Sequence, residues 1–344
     1  MKTTIIASVV ALLLAPFAQA QGCVGDVAVD GRVDGGDLGV LLANWGPVTS
    51  TALSRACDFD NSGQVDGADL GTLLAGWGAC PIPAWAAVLE VQPDPAIVTD
   101  PLVRTAISST GLPWRVRELA TGIEMLLVPP GAFQMGCVMG STLHACDGNA
   151  EPVHEVSITR PFYIGRFEVT QAEWLQAMGT NPAFFRGFSD SASRPVESVD
   201  WDDVQGFLLK TGFRLPTEAE WEYGCRAGTD EPFHNGSTVD ESLGEIAWCA
   251  PLAGAHSYAV GGKHPNALGL HDMLGNVWEL VADWYSAYQP GPQADPAGPP
   301  FGTFRLRRGG SWAYYSSSAR SYYRNAHGID YLSSDFGFRV ARDP

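Results

Sequence analysis

The stretch DVAVDGRVDGGDLGVLLANWG starts at Asp26, and DFDNSGQVDGADLGTLLAGWG starts at Asp58, an offset of 32 residues. The two copies form an internal repeat. Each copy runs an acidic loop into a short helix with Leu at helical spacing. Counted from its first Asp, the second copy has oxygen side chains at the first, third, fifth, ninth and twelfth positions: Asp58, Asp60, Ser62, Asp66 and Asp69. Gly63 sits sixth, where the chain must turn sharply, and Gln64 offers its carbonyl seventh. That spacing suits a hard cation held by six to eight oxygens, and the cation expected is calcium. The first copy offers Asp26, Asp30, Asp34 and Asp37 around Gly31, but Ala28 fills its third position, so weaker binding is expected there.

Ahead of the repeat, Lys2, the apolar run from Ile5 to Leu14 and Ala18-Gln19-Ala20 read as a secretory signal peptide over residues 1–20. The protein is therefore expected to be secreted, periplasmic or extracellular. No later apolar run is long enough to span a bilayer. The formal charge is −17, which argues against nucleic acid and anionic membranes as partners and favours cations. Seven cysteines in an exported chain suggest disulfides: Cys23, Cys57 and Cys80 form one group, Cys137 and Cys146 a second, Cys225 and Cys249 a third. Pairing within groups leaves one N-terminal thiol over, and the sequence leaves connectivity open.

Residues 81–116 are punctuated by Pro and read as a linker with a helical lead-in, in which Trp85, Leu89, Leu102 and Ile107 are expected to be buried. Beyond it, MLLVPPGAFQMG (125–136) and VSITRPFYIGRFEV (156–169) read as strands broken by turns. Thr170 with Glu173 and Thr217 with Glu220 have capping-box spacing, and Asp200 opens a further helix with carboxylates at its positive end. The remainder is rich in Gly, Pro, Asn and aromatics, so long loops are expected to carry most of the surface.

Over residues 22–80, the paired loops with Asp at the twelfth position and no long entering helix resemble the dockerin family of duplicated calcium modules, an EF-hand-like helical fold. That resemblance implies two bound calcium ions and docking to a cohesin-like or cell-surface partner through residues 21–80. The usual recognition positions hold Gly35-Gly36 and Gly67-Ala68, which offer such a partner little.

Further on, PFYIGRFEVTQAEW, RPVESVDWDDV, RLPTEAEWEYGCRAG, PNALGLHDMLGNVWEL, RRGGSW and FGFRVA follow one another in order. They resemble the formylglycine-generating enzyme family, the sulfatase-modifying factors, over residues 117–344. The resemblance implies a compact α+β domain with little regular structure, related to C-type-lectin-like folds. Its catalytic members hold Cu(I) on two cysteines after GGS and oxidise the cysteine of a CxPxR peptide to formylglycine. Here those positions are Tyr314 and Ala319, and neither phenol nor methyl replaces a thiolate. Copper is therefore not expected, and no catalytic residue is assigned. Cys225 falls at a family disulfide position whose partner, expected near Arg324, is absent; Cys249 is the alternative partner. The resemblance also implies a calcium site at the Asp272 side chain and the carbonyls of Met273, Gly275 and Val277.

The Tyr, Ser and Arg content of residues 309–325 suits a contact surface: aromatic faces for a peptide or glycan, guanidinium groups for a carboxylate or sulfate. The candidate cleft comprises Ser311, Trp312, Tyr314, Tyr315, Arg320, Tyr322, Tyr323 and Arg324. The leading expectation is a secreted, calcium-stabilised, non-catalytic binding protein; the alternative is an active formylglycine-generating oxidase that matures sulfatases.

Overall fold

The computed structural model describes residues 27, 32–33, 35–49, 51–79, 83–137, 146, 148–238, 240–250 and 252–344. The expected signal peptide lies outside the described residues.

In the N-terminal unit, β1 (Arg32–Val33), α1 (Gly35–Ala43), β2 (Gly46–Pro47), α2 (Ala52–Ala56), β3 (Gln64–Val65), α3 (Gly67–Ala75) and β4 (Gly78–Ala79) follow in order. β1 pairs with β4, Val33 opposite Gly78, and β2 pairs with β3, Gly46 opposite Val65. The two registers map onto each other under the 32-residue offset, so each copy's loop strand is completed by the other copy's tail. Val33 and Val65, and Leu41 and Leu73, are all fully buried at the shared core. The next apolar pairs, Leu42 with Leu74 and Trp45 with Trp77, are each about half exposed.

The segment expected to be a linker and helical lead-in also supplies a strand. β5 (Ala86–Glu90) precedes α4 (Pro101–Ser108), after which β6 (Arg115–Glu118) returns antiparallel to β5. Ile107 is buried and Trp85 and Leu89 half-buried, but Leu102 is 78 % exposed, since α4 buries Arg104, Ile107 and Ser108 instead.

The two expected broken strands resolve into β7 (Glu124–Val128), β8 (Gly131–Met135), β9 (His154–Ile158) and β10 (Phe162–Gly165). The breaks fall at Pro129-Pro130 and Arg160-Pro161, where Pro cannot donate to a ladder. Helices α5 (Gln171–Met178), α6 (Trp201–Thr211) and α7 (Glu218–Arg226) start at Thr170, Asp200 and Thr217, each closing a reciprocal capping box with the residue three further on. Gly179 and Gly212 end α5 and α6 in the left-handed conformation that Gly adopts without strain.

The remaining strands are β11 (Trp278–Trp284), β12 (Gln293–Ala294), β13 (Arg305–Arg308), β14 (Asn325–His327), β15 (Phe336–Phe338) and β16 (Ala341–Arg342). One five-stranded sheet runs β16-β10-β7-β6-β5, a four-stranded sheet runs β14-β13-β11-β15, and β12-β9-β8 make a third. Most of the chain between these elements is irregular, and its core holds Trp174, Trp221, Phe207 and Phe338 among its larger side chains.

Candidate functional site

Residues 309–325 leave β13 through Gly309 and Gly310, at φ +90° and +77°. A Cβ on Gly310 would lie 2.9 Å from the Ser318 carbonyl, so the segment folds back on itself only because Gly stands there. Ser311 donates to Asp335 (3.0 Å), while the Trp312 amide donates to the Asn276 carbonyl (2.8 Å) and its indole to the Ser334 carbonyl (3.2 Å). Tyr314 sets its ring edge-on to fully buried Trp278, centroids 5.4 Å apart, and its carbonyl accepts from Ala250. Ala319 is 1 % exposed and belongs to the main core. The positions where the resemblance puts copper ligands thus hold a packed phenol and a core methyl. This donor set does not fit copper.

Among the described residues, Cys57, Cys225 and Cys249 are buried and not joined in a disulfide. Cys225 and Cys249 are not joined, which corrects the alternative pairing raised above; each is packed as an apolar side chain in the main core. Burial pushes the Cys225 thiol far up, and burial with the Asp69 and Asp37 carboxylates pushes Cys57 up to about 11, so neither is a thiolate at neutral pH. Cys137 and Cys146 do form a disulfide, and Tyr322 is buried against it, so Tyr322 is a packing residue and leaves the cleft.

Arg324 leaves it as well. Its Nε and Nη2 donate to the two oxygens of Glu218 at 2.6 and 2.8 Å, and its guanidinium lies 3.8 Å over the Tyr288 ring. Eight arginines are buried among the described residues, and five of them, Arg194, Arg226, Arg308, Arg324 and Arg339, have carboxylate partners. Arg104 donates to the Val98 and Thr99 carbonyls. The two left over flank the substituted positions. Arg307 is stacked between Phe336 (4.0 Å) and Trp278 (4.5 Å) and donates to His327, with Nε and Nη1 unbonded. Arg320, next to Ala319, is 7 % exposed, and its Nε is buried without a partner. Trp312 and Tyr323 are half-buried and Tyr315 is 69 % exposed. Arg307 and Trp278 were missed from the sequence; the extra charge in the otherwise apolar approach LRRGG was the available signal.

Asp272 lies at φ +55°, with Oδ2 accepting from the Gly261 amide (2.6 Å) and Oδ1 buried without a partner. Glu168 accepts from Asn276 Nδ2 and the Val277 amide, and Glu279 is engaged by Arg339 through two nitrogens, at 2.7 and 3.0 Å. Among the described residues, Arg339 thus pairs with Glu279 alone, while its charge also favours the ionised forms of buried Glu168 and Asp272 from a distance. Burial pushes Asp272 up to about 6, and burial followed by Asp272 pushes Glu168 well above the carboxylate range. The turn behind them requires Gly275 (φ +83°), because a Cβ there would lie 2.3 Å from the Trp248 carbonyl. Met273 and Val277 are fully buried beside it. The bare Asp272 oxygen in an acid-rich turn fits a hard cation. Glu168 and Asn276, which complete this cluster, were not singled out from the sequence because Glu168 lies far off in the chain.

In the N-terminal unit, Asp58, Asp60 and Asp69 bring carboxylate oxygens within 4.8 Å of one another. Asp58 accepts from the Ser62 and Gly63 amides (2.9 and 3.0 Å), and Asp69 from the Phe59 and Asp66 amides (2.6 and 2.8 Å). Asn61 (φ +55°) and Gly63 (φ +84°) curl the loop around that point. Asp66 caps α3 by accepting from the Ala68 amide, and the Gln64 carbonyl accepts from Ser62 Oγ. Burial raises both Asp58 and Asp69 above the usual carboxylate range. This cluster also fits a calcium ion. In the first copy Asp37 is buried, while Asp26, Asp30 and Asp34 lie outside the described residues.

One antiparallel and two mixed sheets, box-capped helices and a Gly-Gly return loop over a buried Trp define an α+β domain of the formylglycine-generating-enzyme fold. Residues 115–344 match the family described as "Sulfatase-modifying factor enzyme 1-like domain", and the chain belongs to that family. It is 35 % identical over 175 residues to the "Formylglycine-generating enzyme" of Thermomonospora curvata, a match covering 45 % of this chain and 58 % of that one. The chain thus spans little more than half the length of that relative. Among solved structures, "Treponema denticola variable protein 1" matches with a TM-score of 0.59 at 29 % identity, over 64 % of this chain and 95 % of that one. PvdO from Pseudomonas aeruginosa matches with a TM-score of 0.59 at 29 % identity, over 67 % of this chain and 98 % of that one. Among the described residues, no helix is long and apolar enough to cross a membrane.

Proposed function

We propose that this chain is an exported, calcium-stabilised protein whose C-terminal domain keeps the fold of its family without the copper oxidase chemistry and serves as a binding module. The observation that carries this reading is the pair Tyr314 and Ala319, one packed on Trp278 and the other in the core, where two thiolates would be needed. The binding surface is the outer part of the cleft: Trp312, Tyr315 and Tyr323 for stacking, and Arg320 as the cation available to a carboxylate or sulfate on a peptide or glycan. Export is supported by the signal-like N-terminus and fits the Cys137–Cys146 disulfide.

Calcium is assigned to Asp58, Asp60, Ser62, Gln64, Asp66 and Asp69, and to Asp272 with the carbonyls of its turn. The dockerin-like character of residues 21–80 belongs to this proposal too. The paired apolar patches Leu42/Trp45 and Leu74/Trp77 are the surface through which the unit would meet a cohesin-like or cell-surface partner. The test is a Cu(I) titration against a competing chromogenic chelator. No withdrawal of copper at one equivalent of protein supports the reading. Stoichiometric withdrawal with a thiolate absorption band favours the second reading, an active oxidase, which the enzyme names of the relatives recommend.

A further inference from the structure

Away from residues 309–323, β8, β9, the start of α7, the end of β11 and the loop that follows enclose a cavity of about 430 Å³. Met135, Ala219, Trp284 and Pro299 give it apolar walls. Four buried polar side chains line it: Glu218 and Arg324, paired with each other, and Asp283 and His154, 4 % and 5 % exposed. Asp283 Oδ2 accepts from the Glu218 amide at 2.7 Å, and Oδ1 has no hydrogen bond. His154 Nδ1 lies 3.0 Å from the Pro152 carbonyl. A carbonyl only accepts, so Nδ1 donates there, which in the neutral ring makes Nε2 the acceptor that faces the cavity. The strong donors in the wall are spent: Arg324 donates to Glu218 and the Asn149 carbonyl, and the Tyr288 hydroxyl to Glu218.

Two acceptors on otherwise buried side chains therefore open onto a cavity large enough for a small organic ligand, with no protein donor on them among the described residues. The occupant that answers them brings several N–H donors and a positive charge. We infer that this cavity binds a primary ammonium group, held by Asp283 Oδ1 and His154 Nε2 with its alkyl part against the apolar walls. An ammonium has three donors, two of which these atoms satisfy, and it neutralises a carboxylate that has no direct ion-pair partner among the described residues. The −17 net charge draws cations toward the molecule.

Charge around Asp283 sets how that binding responds to pH. Glu218 and Glu220 on the α7 side oppose its ionisation, Arg324 and Arg305 favour it, and burial outweighs them, pushing the carboxyl up to about 7. An ammonium binds the ionised form, so its uptake releases a proton. With one such proton, affinity rises about tenfold between pH 6 and pH 8.

The experiment is calorimetric titration of the full chain with n-butylammonium and with its neutral analogue n-butanol, at pH 6 and pH 8. Saturable binding of the amine that strengthens about tenfold at pH 8, with n-butanol at least tenfold weaker, is expected. Asp283→Asn keeps an acceptor for the Glu218 amide and is expected to weaken the amine at least tenfold and to abolish the pH dependence. His154→Gln is expected to weaken binding while keeping the pH dependence. The wild-type pH comparison stands even if a variant fails to fold. No amine binding, equal binding of n-butanol, or an affinity independent of pH overturns the inference. This cavity shares neither Arg320 nor Tyr314 with the proposed cleft, so either reading can fail without the other.

Discussion

Arg324 grips Glu218 through two parallel contacts, with both side chains out of solvent, and Glu218 is in turn shared with Arg308 (2.9 Å). Glu222 extends the cluster to Arg308 and Arg226, and its carboxyl is held below the usual range by those two guanidinium groups against the cost of burial. A charge cluster of this kind ties α7 to β13 and to the segment after it, and it withdraws Arg324 from any ligand.

Breaking the cluster from one side leaves buried cations unpaired. Glu218→Gln is expected to destabilise the protein by about 3 kcal/mol in urea unfolding, far more than an exposed ion pair is worth. A loss below about 1 kcal/mol would mean that water reaches the cluster.

Arg320 should behave in the opposite way. It is buried with no carboxylate partner among the described residues, so Arg320→Met is expected to raise stability by about 1 kcal/mol while removing any gain from an oxyanion ligand. Thermal unfolding with and without sulfate reads both effects. A variant that is less stable, or that still responds to sulfate, would make Arg320 a structural residue.

Asp283 gives a pH dependence whose sign is fixed. Its folded pKa of about 7 lies above the ordinary value of 3.8, so its contribution to stability is fully present below about pH 4 and is lost as the pH rises through about 7. Asp283→Asn is expected to flatten that part of the stability–pH curve, measured by urea unfolding between pH 5 and pH 8. An unchanged curve would mean that the carboxyl ionises freely.

Calcium bound at the proposed Asp58 site would act by mass action on the folded state. Adding it at about a hundred times its Kd to chelator-treated protein is expected to stabilise the unit around Asp58 by about 2.7 kcal/mol. Asp58→Ala should remove that gain, as read by near-ultraviolet circular dichroism of Trp45 and Trp77 during unfolding. Equal unfolding with and without calcium would leave the loop a hydrogen-bonded turn.

Much of the fold was legible in the sequence wherever its cause is local. Thr170 and Thr217 announce their helices because a cap and its partner lie three residues apart, Asp200 does so through the carboxylates that open its helix, and the 32-residue repeat announces its own loop and helix. Ala86–Glu90 was not legible as a strand: AAVLE is made mostly of helix formers, and pairing with β6 beyond α4 overrides that preference. The cleft divides in the same way. That Tyr314 and Ala319 lack thiols is visible in the letters themselves. The fate of Arg324 depends on Glu218, 106 residues away, and that of Tyr322 on the Cys137–Cys146 loop, so neither could be read locally. His154 and Asp283 meet one cavity from separate strands, and no motif links them.

The most direct measurement of the central claim is a turnover assay. The purified, folded, calcium-loaded protein is incubated with Cu(I), oxygen and a CxPxR peptide, and the peptide mass is followed. An unchanged cysteine is expected, because Tyr314 and Ala319 provide no thiolate for copper or for the substrate. Conversion of that cysteine to the aldehyde would contradict the account and assign the oxidase activity to this chain.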